Sequence, residues 1–166
     1  MLNLVFEGSP ILQSVAQPYI FGEEDTEKLA TEMYETMILG KGIGLSAPQI
    51  GRSERFFIIG DEVGIIQFVL NPEIASMSME KDEGPEGCLS YPGLYLPIKR
   101  SHKISARFQD FRGDWQEREF EGLWARVFAH EYDHLDGVCF VTHVSKLKLD
   151  IGRRRQHKIM KRVGGQ

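Results

Sequence analysis

The sequence predicts an α+β fold in which mainly antiparallel strands surround a central, metal-binding type of helix, with an N-terminal helix and a short C-terminal helix. Two observations carry this: two segments repeat apolar residues at helical spacing, and the stretch between them is rich in β-type runs punctuated by turn residues. A third bounds it. The chain has 166 residues, with no internal repeat, low-complexity tract or Pro/Ser-rich linker, so residues 1–166 read as a single domain able to bury its own core.

The elements follow in order. Residues 26–39 form the first helix, with Leu29, Met33, Tyr34, Met37 and Ile38 at helical spacing and Gly40 as the stop. Residues 42–49 are turn-rich, and the runs 56–59 and 65–70 are β-type. Ile104, Ala106 and Phe108 alternate with polar neighbours, and the turn Arg112-Gly113-Asp114 leads into residues 115–120, giving a hairpin. That triplet reads as a turn and not as an adhesion signal, because the first residues resemble no secretion signal. Residues 122–136 are helical again, with Leu123, Val127, His130, Glu131, His134 and Leu135 along one face before Gly137. After the short apolar run 138–141, a basic tail reads as helical from about Ser145, although Gly152 counts against a long continuous helix.

Composition excludes several classes. An apolar fraction of 42% and a charged fraction of 27% are ordinary for a soluble domain, and no apolar stretch approaches a membrane span. With no targeting segment recognised, the chain is expected to act in the compartment that makes it, and in a reducing cytosol Cys88 and Cys139 stay unpaired. The net charge of −4 is unevenly spread: residues 146–162 hold eight Lys or Arg against one Asp, a charge of +7, leaving −11 elsewhere. Such a tail is either a solvated helix or a docking surface for an anionic partner, while the acidic body and the lack of a binding motif argue against DNA readout. Every candidate catalytic residue lies upstream of residue 151, so the tail reads as separable from the chemistry.

That chemistry centres on His130-Glu131-Tyr132-Asp133-His134. Histidines four apart on a helix share a face and can reach one cation, with Glu131 beside them as a proton acceptor. A hydrolytic metal site needs three protein ligands and an open position. Downstream, Asp136, His143, Asp150 and His157 fall in no ligand pattern, whereas upstream Cys88 in Glu86-Gly87-Cys88-Leu89-Ser90 offers a soft thiolate. A lone cysteine is more often a small core residue, and the helix motif alone also suits a zincin-type protease or a structural metal site.

Taken together, the blocks 42–49, 86–90 and 130–137 resemble the peptide deformylases in order and spacing, and the likeness extends over nearly the whole chain. The resemblance implies hydrolysis of the formyl group from the N-terminal formyl-methionine of new polypeptides, with release of formate. It implies one divalent ion on Cys88, His130 and His134, ferrous iron in the cell and replaceable by zinc, nickel or cobalt. Glu131 moves the proton, and the Gln49 side-chain amide with the Leu89 N–H holds the oxyanion. Ile43, Leu123, Val127 and His130 wall the methionine pocket, and Gly44 lets backbone close on the substrate. The tail implies a ribosome contact, and the location is cytoplasmic or wherever formyl-methionine translation occurs. Two positions depart from the family pattern: Ser46 stands where Ala is usual, and Ala129 where Gln is usual, which implies a changed hydrogen bond behind the ligands. Residues 91–95 look similar to the plastid-type branch.

Overall fold

A computed structural model describes residues 2–22, 24–61, 63 and 66–163. The first helix, α1 (Thr26–Leu39), is capped by the Asp25 carboxylate, which accepts from Lys28 N–H at 3.0 Å. The strands β1 (Gly44–Ser46), β2 (Phe56–Gly60) and β3 (Ile66–Met77) follow, with a 3₁₀ turn at Ala47–Ile50. The run expected to begin at Ile65 starts β3 one residue later, Ile65 itself lying outside the described residues. Next come β4 (Lys81–Cys88), β5 (Tyr91–Ser101), β6 (Lys103–Gln109) and β7 (Trp115–Glu121), then the helices α2 (Leu123–Leu135) and α3 (Lys146–Val163). The α+β class with antiparallel sheets is therefore the observed one.

Five strands pair antiparallel in the order β1-β2-β3-β6-β7, and β4 with β5 forms a separate two-stranded sheet. Residue alternation explains why β2 is an unbroken apolar run. Phe56 and Ile58 join Leu29, Met33 and Met37 of α1, while Phe57 and Ile59 join Ala125 and Phe128 of α2. Both faces of β2 are thus covered, and each fully buried phenylalanine stabilises the fold by roughly 1.5–3 kcal/mol.

A third apolar cluster sits inside β5, where Leu94, Leu96 and Ile98 meet Leu12 and Phe140. Neither β4 nor β5 was expected, and neither was the stretch of β3 past Leu70. The sequence of β4, KDEGPEGC, is mostly charged or turn-forming, and Pro92 and Pro97 interrupt the visible alternation of β5.

The C-terminal helix corrects the sequence expectation of a short element: at 18 residues α3 is the longest of the described helices. Gly152 is the reason. A Cβ at this position would lie 2.5 Å from Leu96 Cδ2, so the missing side chain lets the helix backbone settle on β5. That packing outweighs glycine's helix cost of roughly 1 kcal/mol. Among the described residues no helix is long and apolar enough to cross a membrane.

Candidate active site

α2 starts without a side-chain cap, at Gly122, and its end is fixed by Gly137 at φ 70°, where a Cβ would strike the Gln13 backbone at 2.7 Å. Between these ends, Val127, His130, Glu131 and His134 are all buried. Cys88 arrives from the other sheet. It ends β4 at a register shift beside Gly87, whose missing Cβ leaves room for the Tyr95 ring at 2.6 Å.

The result is a converging set: Cys88, His130 and His134 each offer one potential ligand atom, these atoms lie within 4.8 Å of one another, and Cys88 Sγ is 3.3 Å from His134 Nε2. The downstream candidates Asp136, His143, Asp150 and His157 are not part of this set, and His143 instead meets Asp133 at 2.7 Å. Burial disfavours charge on His134, and the nearby His130 and Arg100 add to this, so its pKa falls well below the ordinary value and its lone pairs stay available. Burial also opposes charge on His130, but its hydrogen bonds to Cys88 and Glu86 outweigh it and raise the pKa to about 10. One cysteine sulfur and two imidazoles that converge fit a divalent metal ion with a position left open.

Behind the ligands stands a buried charge network that the sequence reading missed. Glu86 accepts from His130 Nδ1 at 3.1 Å, from Arg100 at 2.9 and 3.0 Å, and from Arg126 at 2.8 Å. Burial alone would raise the Glu86 pKa, yet His130 and Arg100 hold it down at about 2. The Glu86 contact occupies Nδ1 of His130 and leaves its Nε2 for an ion. Glu86 lay within the 86–90 block, two residues before Cys88, so its place was visible although its role was not. The hydrogen bond expected to change with Ala129 is not made at that position at all: Ala129 packs in the apolar cluster beside Phe57 and Val69.

A cavity of about 670 Å³ opens beside this cluster, lined by Ile43, Gly44, Gln49, Cys88, Leu89, Leu123, Val127, His130 and Glu131. Every candidate residue from the sequence thus borders it except His134, which sits behind, 1% exposed. Ile43 and Leu123 are exposed at its surface and Val127 is buried within. Leu89 occupies the turn between β4 and β5, and its side chain packs where Cβ atoms at Gly40 or Gly42 would come within 2.9 Å. Gly44 has a different reason to be glycine. A Cβ there would meet Glu131 Oε1 at 2.4 Å, so the missing side chain makes room for the carboxylate. Burial raises Glu131 to a pKa of about 7, and its Oε2 has no hydrogen-bond partner. The amino-terminal segment ties the two sides together, Val5 N–H donating to Gln49 O at 2.7 Å and Glu7 N–H to Ser90 O at 2.9 Å.

Comparison with known proteins agrees with this geometry. The family described as Polypeptide deformylase matches residues 1–150. The peptide deformylase of Thermotoga maritima is 40% identical over 156 residues, covering 94% of each chain. The fold superposes with a TM-score of 0.88 on a peptide deformylase from Legionella pneumophila, at 36% identity over 100% of this chain and 98% of that one. It gives the same score with the enzyme from Synechococcus elongatus solved in complex with actinonin, at 32% identity over 94% of this chain and 86% of that one.

Proposed function

This chain belongs to the polypeptide deformylase family, which removes the N-terminal formyl group from nascent polypeptides in a metal-dependent hydrolysis, and we propose how its residues divide that work. Cys88, His130 and His134 hold one ion, ferrous iron in the cell and exchangeable for zinc, nickel or cobalt, since thiolate with imidazole suits all four. When bound, the ion supplies Lewis acidity that acidifies a water and polarises the formyl oxygen. Glu131 takes the water's proton as its oxygen adds to the formyl carbon, then gives that proton to the nitrogen as the C–N bond breaks. Formate and a free amino terminus leave. The amide of Gln49 and the N–H of Leu89 donate to the oxygen that gains charge. The methionine side chain packs among Ile43, Leu123, Val127 and the His130 ring, with the Gly44 backbone against the peptide.

One observation carries the reading. A buried carboxylate with a free oxygen, Glu131, stands beside three convergent ligand atoms in the wall of one cavity. The test is formate release from a formyl-methionyl tripeptide compared with its acetyl counterpart. A cavity that grips the formyl group disfavours the extra methyl by about 10 to 200-fold. Equal rates, or comparable cleavage of casein, support an endopeptidase instead.

The further parts of the reading are that residues 1–166 act as one domain in the compartment where formyl-methionine translation occurs, and that α3 contacts the ribosome. Charge supports the last, because the +7 of residues 146–162 opposes an acidic body. Arg154→Glu with Lys158→Glu keeps the helix but reverses two charges. Weaker low-salt co-sedimentation with ribosomes is expected, and unchanged sedimentation refutes the contact.

A further inference from the structure

Ser46 is buried and fully enclosed, at 0% exposure, at the end of β1, where pairing with Phe57 of β2 fixes its backbone. Both its backbone N–H and its hydroxyl donate to Gln49 Oε1, each at 2.9 Å. In return the hydroxyl accepts from the Gln49 backbone N–H, closing a reciprocal pair around the 3₁₀ turn. Gln49 is itself 1% exposed, so water does not compete for these bonds.

The two donors occupy both lone pairs of Oε1, which settles which end of the amide faces the cavity. Nε2 is left pointing at Cys88 Sγ, 3.3 Å away. A flipped amide would set its NH₂ against the Ser46 backbone N–H, which can only donate, so the flipped state is disfavoured there, while the hydroxyl adds a second bond that holds the amide still. Resting on the reading of Gln49 given above, we propose that Ser46 is a positioning residue for deformylation: its hydroxyl locks the Gln49 amide with N–H toward the reacting oxygen.

Because the backbone N–H survives substitution, Ser46→Ala weakens the lock without removing it. The expected loss is about 3 to 10-fold in kcat with KM unchanged, the worth of one buried hydrogen bond. Positioning of the amide acts through Gln49, which distinguishes it from the approach that the same hydroxyl makes to the Glu131 carboxylate. In the Gln49→Ala background, where kcat is already down by about 10² to 10³-fold, Ser46→Ala then changes nothing further. The zinc form gives an independent readout by NMR, in which the Gln49 side-chain NH₂ becomes more mobile in Ser46→Ala. Ser46→Cys, close in volume with a weaker donor, falls between the two on both measures and stands in if Ser46→Ala does not fold.

Three results overturn the proposal. Ser46→Ala within twofold of the parent, with Gln49→Ala still crippled, removes Ser46 and leaves the Gln49 role standing. An equal loss from Ser46→Ala with and without Gln49 shows that the hydroxyl acts on the fold or on Glu131 and not on the amide. Full kcat in Gln49→Ala removes the oxyanion reading of Gln49, and the positioning role falls with it.

Discussion

α2 and α3 both pack against β5, and they do opposite things with their charged residues. α2 buries eight of its thirteen residues, ionisable ones included, so Glu131 and His134 sit in a medium that shifts their proton affinities. α3 keeps most of its arginines and lysines in solvent, where salt screens them, and touches β5 through an absence, the missing side chain of Gly152. Burial turns the ionisable side chains of one helix toward chemistry, and solvent leaves those of the other as screened charge. Yet α3 is not detached from the site. Gln156 Nε2 donates to Pro92 O at 2.8 Å, and Met160 Sδ would lie 3.4 Å from a Cβ on Gly93, both in the strand that walls the cavity. α3 therefore supports a strand that lines the cavity, although every candidate catalytic residue lies upstream of it.

The comparison breaks most visibly where α2 meets its buried network. Glu86→Ala leaves Arg100 and Arg126 without their shared carboxylate, which is expected to cost about 3–5 kcal/mol in urea unfolding. The same substitution frees His130 Nδ1, and metal affinity measured by competitive chelation is expected to fall by about 10 to 100-fold. A variant as stable as the parent contradicts the network's role.

A smaller effect is expected from Gly152→Leu, which pushes α3 off Leu96. Overpacking of this kind costs about 1–3 kcal/mol. Because the displaced helix supports residues 91–96, KM for a formyl tripeptide is expected to rise several-fold while kcat stays near the parent value. Substituting the outward-facing Arg154 by Ala moves stability by less than about 0.5 kcal/mol. If both variants behave alike, α3 does not support the wall.

The smallest effect belongs to the surface, where His102 sits between Asp82 and Glu121 at the junction of β4, β6 and β7. The Asp82 hydrogen bond, then that of Glu121, raises the His102 pKa above 6.5, so its stabilising contribution is complete below pH 6.5 and is lost as pH rises through the raised value. The Tm gap between the parent and His102→Gln is expected to be largest at pH 6 and to shrink as pH rises through the raised pKa. A gap that widens with pH contradicts this sign.

Legibility followed the same divide. α1 was readable to the residue because Leu29, Met33 and Met37 repeat on the helical period and meet one apolar face of the sheet. The β6–β7 hairpin was readable from Ile104, Ala106 and Phe108, whose alternation matches one buried face. The two histidines stood out because they lie four apart on a helix, whereas Cys88 joined them only through the resemblance of the 86–90 block to the deformylases. β4 escaped because it is held by pairing to β5, while its own sequence buries almost nothing. Glu86 escaped for a related reason: its meaning arises only when Arg100 from β5 and Arg126 and His130 from α2 arrive at the same carboxylate. Gly152 signalled a weak helix locally, and only tertiary contact with Leu96 reversed that sign.

The central claim is that a buried Glu131 moves the proton at a site built from Cys88, His130 and His134. The most direct test is formate release by Glu131→Gln, measured alongside metal content in the same preparation. The substitution keeps shape and removes the proton acceptor, so one ion per chain is expected to remain while turnover falls by about 10² to 10⁴-fold. A Glu131→Gln enzyme that binds its ion and releases formate at the parent rate contradicts the account.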